Sequence, residues 1–159
     1  MPIPQPSHSA EFRLEIRRLF HAPREKVFAA WAEREQLEKW MAKDVPHHVV
    51  IHHEQDIRSG GRWRMEVRDP QKNEVYWGQG MYLEVKPPEK IVFTWSWTKE
   101  APQTGVVDNC PQTEVTVEFI DLGGNTELVL THRGLPSAKL RDEHETGWIG
   151  CLNELEKTL

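Results

Sequence analysis

Between Arg62 and His132, apolar and polar residues alternate nearly one for one, in short runs separated by turn signals. Trp63, Met65 and Val67 alternate with Arg62, Arg64, Glu66 and Arg68, and residues 69–73 (Asp-Pro-Gln-Lys-Asn) then turn the chain. Val75, Trp77, Met81, Leu83 and Val85 share one phase of the next run, with Gly78 and Gly80 on the other. After the turn Pro87-Pro88-Glu89, Ile91, Phe93, Trp95 and Trp97 alternate with Val92, Thr94, Ser96 and Thr98. A polar loop over 99–111 leads to Val115, Val117 and Phe119, a Gly123-Gly124-Asn125 hairpin turn, and Leu128, Leu130 and His132. A period of two is the signature of half-buried strands. Short turns between strands imply antiparallel pairing. One apolar face per strand implies a sheet that is covered on one side only.

The flanks supply the cover. Phe12, Leu14, Ile16 and Phe20 predict a first strand, with Arg18 sharing its apolar face. Pro23 opens a short helix through Val27, Ala30 and Trp31, and Leu37, Trp40 and Met41 repeat that spacing in a second. Residues 49–57 read as a weak strand rich in histidine, followed by the turn Ser59-Gly60-Gly61. From Ser137, a suitable N-cap, the stripe Leu140, His144, Trp148, Leu152, Leu155 and Leu159 predicts a long amphipathic helix. Gly147 and Gly150 fall inside it, where each costs about 1 kcal/mol relative to alanine. Close approach to another element, or room left for a ligand, would account for that cost. The expected class is α+β: about seven strands in a curved antiparallel sheet around a long C-terminal helix, with two short helices after the first strand. The expected organisation is a flexible arm over 1–10 and a single domain over 11–159.

At 159 residues, such a domain buries roughly 70% of its unfolded surface and needs no staples. A net charge of −5 offers no basic field for phosphates, so no nucleic-acid partner is expected. No apolar run approaches the ~20 residues that span a bilayer, so no membrane association is expected. Residues 1–10 carry no apolar signal segment. Cys110 and Cys151 are far apart and form no CxxC motif, which suits a reducing cytoplasm.

The residues that follow one another along the chain resemble a known family. They are residues 18–31 (Arg-Leu-Phe-His-Ala-Pro-Arg-Glu-Lys-Val-Phe-Ala-Ala-Trp), Leu37 and Trp40, then 56–65 (Asp-Ile-Arg-Ser-Gly-Gly-Arg-Trp-Arg-Met). Next come 85–91 (Val-Lys-Pro-Pro-Glu-Lys-Ile), Thr94-Trp95, His132-Arg133-Gly134-Leu135-Pro136 and His144-Glu145-Thr146-Gly147-Trp148. This ordered set resembles the activator of heat-shock-protein-90 ATPase homologues, within the START-like (SRPBCC, Bet v 1-type) superfamily. The resemblance implies a helix-grip fold, in which a seven-stranded sheet grips the last helix with a cavity between them. It does not imply one function, because fold does not fix function.

The tryptophans set the main candidate site. There are seven in the chain. Trp63 with Met65, Trp77 with Met81, and Trp95 with Trp97 are all expected to point inward from three strands. Trp148 is expected to face them from the helix, and Trp40 to close one end. Flat rings with adaptable methionines suit a pocket for an apolar or aromatic molecule; the alternative is plain core filling. Arg18, Gln79, His132 and His144 are polar groups on apolar faces. Arg18 and His132 are the candidates for orienting a ligand; the alternatives pair Arg18 with Glu114 or Glu118 and His132 with backbone. The histidines of 47–53 could hold a metal, but no HExxH spacing or closing acid accompanies them, and a solvated strand edge is the preferred reading. No nucleophile elbow, P-loop or dinucleotide motif is present, so no catalytic residue, cofactor or metal is expected.

The expected function is therefore binding of a small hydrophobic or aromatic molecule, as a carrier, sensor or sequestering protein. The alternatives are a cyclase, hydrolase or isomerase with His132 as acid or base, and a module that docks on a chaperone. The outer sheet face and edge strands leave a homodimer open.

Overall fold

The computed structural model describes residues 12–41, 49–69, 73–98 and 112–159. The predicted arm, His47 and His48, and the loop with Cys110 lie outside these residues. The elements are β1 (Phe12–Phe20), α1 (Arg24–Ala32), α2 (Arg34–Leu37), β2 (Val49–Gln55), β3 (Arg62–Asp69), β4 (Glu74–Lys86), β5 (Lys90–Thr98), β6 (Thr113–Asp121), β7 (Thr126–Leu135) and α3 (Ala138–Thr158).

The seven strands form one sheet in the order β1-β7-β6-β5-β4-β3-β2, every neighbour antiparallel. Strands β2 to β7 are a simple meander of hairpins. Only the β1–α1–α2–β2 segment crosses, carrying the chain from one sheet edge to the other. Glycine marks the tightest turn: Gly123 and Gly124 take φ of 72° and 103°, values that side chains resist, and the Asp121 carboxylate accepts from Gly123 N–H at 3.0 Å.

Residues directly opposite in an antiparallel pair share a face, so the register gives the inner face without ambiguity. Ile16 lies opposite Leu130, Leu130 opposite Val117, and Val117 opposite Ile91. The row above runs Leu14, His132, Val115, Phe93 and Tyr82. Helix α3 covers this face. Ser137 caps it as expected, its hydroxyl accepting from Leu140 N–H at 3.1 Å, and Trp148, Cys151, Leu152 and Leu155 are buried. Helix α1 packs on β6 through an edge-to-face contact of Phe28 with Phe119 at 5.2 Å.

Strand β4 departs from the predicted phase. Gly80 lies opposite Trp63, Gly78 opposite Met65, and Tyr76 opposite Val67. The glycines therefore face inward, and Trp77 and Met81 point outward. A β-bulge between Tyr82 and Glu84 restores Val85 to the inner face, opposite Ile91. The physical reason is space. A Cβ on Gly80 would lie 2.6 Å from the Trp63 indole nitrogen, and one on Gly78 would lie 3.3 Å from Trp97 Cζ3. At these two inward positions there is no room for a side chain, because Trp97 and Met65 fill the space at Gly78 and the Thr94 carbonyl and Trp63 fill it at Gly80. Outside, Trp77 is covered by the Arg64 guanidinium at 5.8 Å, a cation–π contact. Gln79 shares this outer phase, opposite Arg64 and Ser96.

Candidate functional site: an aromatic cavity under the C-terminal helix

A cavity of about 340 Å³ lies between α3 and strands β3 to β5. Met65 and Val67 of β3, Tyr76 of β4, and Trp95 and Trp97 of β5 form its sheet side. Leu140, Glu143, His144, Gly147, Trp148 and Cys151 of α3 form the helix side, and Met41 closes it after α2. The spacing from 140 to 151 is one helical face read at i+3 and i+4 steps. Gly147 answers the question its cost posed: a Cβ there would meet nothing within 4 Å, because the helix stops short of the sheet at that point. A second void of about 30 Å³ lies deeper, between Trp31, Leu37, Trp63, Phe93 and their neighbours. Met41, Met65 and Trp95 line both.

Two histidines hold two of the indole N–H groups around the cavity, while Trp95 Nε1 has no partner among the described residues. Thr113 Oγ1 donates to the Trp95 carbonyl at 2.8 Å, which spends its one proton. His132 Nε2 lies 2.7 Å from that oxygen and so carries the hydrogen. His132 Nδ1 is left to accept from Trp148 Nε1–H at 3.1 Å. Both nitrogens are engaged, and the residue is 0% exposed. Burial, and then the neighbouring His144, push its pKa from 6.5 to about 3. His144 takes the other tautomer. Its Nδ1–H donates to the Leu140 carbonyl at 2.8 Å, and its Nε2 accepts from Trp97 Nε1–H at 3.3 Å. The two imidazoles meet edge to face at 5.1 Å. Each fixes an indole of the wall.

Of the residues singled out from the sequence, Met65, Trp95, Trp97 and Trp148 come together around this cavity. Trp63 borders only the deeper void, with its indole N–H donated to the Thr94 carbonyl at 3.1 Å. Trp40 is core: it packs on Trp31 at 4.7 Å and donates to the Ala30 carbonyl at 2.9 Å. Trp77 and Met81 stand on the opposite face of the sheet, for the reason given above. His132 stands behind Trp148 and not in the lining. Arg18 is neither in the lining nor paired with Glu114 or Glu118; it hydrogen-bonds Asn153 of α3, while Glu114 pairs with Arg133 at 3.3 Å.

Val67, Tyr76, Glu143 and Cys151 were not foreseen as lining, nor were Met41, Leu140 and His144. Leu140 and His144 head the predicted helical stripe, and that stripe was the signal for them. In the histidine-rich strand, a register shift after Val50 turns His53 inward opposite Met65. His53 is buried rather than solvated, and burial is the main cause lowering its pKa. His52 faces out, beside Glu54. Among the described residues no cluster of His, Cys, Asp and Glu suits a metal ion.

A meander sheet that grips a long terminal helix over an aromatic cavity defines a helix-grip protein. Residues 21–159 match the family model described as Activator of Hsp90 ATPase homolog 1-like protein, and the chain belongs to that family. Among solved structures it is similar to the AHSA1 protein of Silicibacter pomeroyi, with 25% identity, a TM-score of 0.75, and coverage of 92% of this chain and 96% of that one. A protein from Chromobacterium violaceum has 24% identity and a TM-score of 0.73, covering 94% and 96%. CalU16 from Micromonospora echinospora has 22% identity and a TM-score of 0.65, covering 90% and 73%. The last two likenesses are of fold alone. No curated protein matches the chain in sequence. No helix among the described residues is long and apolar enough to cross a membrane.

Proposed function

We propose that the chain holds one small, mainly apolar or aromatic molecule in the cavity under α3, as a carrier, sensor or sequestering protein. The observation that carries this reading is the cavity itself: about 340 Å³, within the ~300–1,000 Å³ of ligand sites, walled by indoles, methionines and aliphatic side chains. Each Å² of apolar ligand surface withdrawn from water there contributes about 25 cal/mol. Gly147 supports it further, since a helix gives up stability at that position to keep the space open.

The rival readings draw less support. His132, the best acid–base candidate, is spent at both nitrogens and lies behind the wall. A chaperone-docking face calls for a continuous apolar patch, whereas exposed Leu19 and Ile120 flank Glu127 from either side and Arg17 lies 3.5 Å from that carboxylate.

Titration with small apolar aromatics should quench tryptophan fluorescence saturably, with one molecule bound per chain. Gly147→Leu, which places a side chain in the open space, should abolish the response and leave the folded state at least as stable. Quenching that persists undiminished in Gly147→Leu would place binding elsewhere.

A further inference from the structure

Apolarity does not exhaust what the lining offers. Its three indoles do not stack. Trp95 stands 5.5 Å from Trp97 at an interplanar angle of 53°, and 5.5 Å from Trp148 at 77°. With Tyr76 beside them they are the inclined walls of a box. Three of the four rings have their polar tips tied into the walls, while Trp95 Nε1 is buried without a partner among the described residues. Trp148 N–H is held by His132 and the Tyr76 hydroxyl by the Glu74 carboxylate. Trp97 N–H goes to His144, and its Cζ3 takes up the space over Gly78, where an added Cβ would come within 3.3 Å. The face of an indole is the negative pole of its quadrupole, and a cation among these rings is drawn to it.

The charge distribution points the same way. Glu143 is the one ionised side chain in the described lining, which includes no lysine or arginine. His144 is a neutral acceptor in this arrangement, since Nδ1 carries its hydrogen. An anionic group would find no countercharge here and would meet Glu143. A neutral apolar group would gain from burial alone. A cation would gain from burial, from the ring faces and from the carboxylate. The net charge of −5 favours its approach.

We propose that the cavity selects a molecule whose apolar or aromatic body carries a quaternary or tertiary ammonium group, the cation seated against the faces of Trp95, Trp97 and Trp148 with Glu143 beside it. This rests on the cavity's being the ligand site, and deepens that reading by naming the ligand class.

The test uses three probes of one shape and different charge: benzyltrimethylammonium, its carbon isostere neopentylbenzene, and phenylmethanesulfonate. Dissociation constants for the full chain are measured by calorimetry. The ammonium should bind at least about tenfold more tightly than the isostere, and the sulfonate most weakly. Trp97→Leu keeps an apolar wall and removes the π face, so it should cut the ammonium preference to about threefold or less. Glu143 is exposed, so Glu143→Gln leaves packing untouched; it should weaken the ammonium about threefold and leave the isostere unchanged. The isostere binding as tightly as the ammonium would overturn the cation proposal and leave the apolar cavity standing. Ammonium binding that neither substitution alters would also overturn it. Binding of none of the three would overturn both.

Discussion

At the scale of single residues, His132 and Gly147 do opposite things for the cavity: one holds a wall, the other holds a space. His132 stays neutral in the fold, with a pKa lowered to about 3 by burial, while in the unfolded chain it titrates near 6.5. Below about pH 6.5 the unfolded chain therefore binds a proton that the folded one refuses, down to about pH 3. Its contribution to stability is fully present above the unfolded value and declines on acidification, by about 1.4 kcal/mol per pH unit. Urea unfolding at about pH 8 and about pH 5 should differ by ~2 kcal/mol from this residue. His53, also lowered by burial, adds in the same direction. His132→Phe should flatten the profile. It should also cost about 1–3 kcal/mol at neutral pH, because Trp148 N–H loses its acceptor. An unchanged pH slope in that variant would contradict the assignment. Gly147→Ala should gain up to ~1 kcal/mol, read as a raised Tm, since its methyl group meets no atom. A loss of stability would show the helix to be packed there after all.

Elements show where reading and structure part. Helix α3 was legible to its cap and its stripe because an amphipathic helix writes its burial as period 3.6. The strands of the meander were legible because a half-buried sheet writes period two. Strand β4 was not, although its alternation is plain. Val75, Trp77, Met81 and Leu83 are the apolar phase, yet Tyr76, Gly78 and Gly80 face the interior. Hydropathy marks which phase has more apolar side chains, and a wall that must admit neighbouring side chains is marked instead by the two glycines between Tyr76 and Tyr82. The bulge at Tyr82–Glu84 then exchanges the phases without any change in composition. The two glycines should respond differently to substitution. A Cβ on Gly80 would fall 1.8 Å from the Thr94 carbonyl oxygen, which is backbone, so Gly80→Ala should cost about 3 kcal/mol or prevent folding. At Gly78 the nearest atoms are side-chain atoms at 3.3 and 3.4 Å, so Gly78→Ala should cost about 1 kcal/mol or less. Chemical denaturation of the two variants side by side decides this; equal costs would contradict the inward phase of β4.

On the scale of the molecule, the order of elements, the antiparallel sheet and the covering helix all followed from periodicity, turn chemistry and family resemblance. The cavity did not, because it is a difference between what the sheet and helix could fill and what they do. Four of the predicted site residues meet there because β3, β5 and α3 were phased correctly. Trp77 and Met81 do not, because β4 was not. Trp40 and Trp63 are indoles whose N–H groups found backbone carbonyls, a partner that no sequence pattern reveals. The methionines now separate the two pictures. Met41 and Met65 line the cavity, while Met81 projects from the other face of the sheet. With methyl-labelled methionine, NMR spectra of the full chain titrated with an apolar aromatic should show the Met41 and Met65 methyl resonances moving together to saturation and the Met81 resonance standing still. Movement of Met81 with Met41 and Met65 unperturbed would contradict the cavity as the binding site.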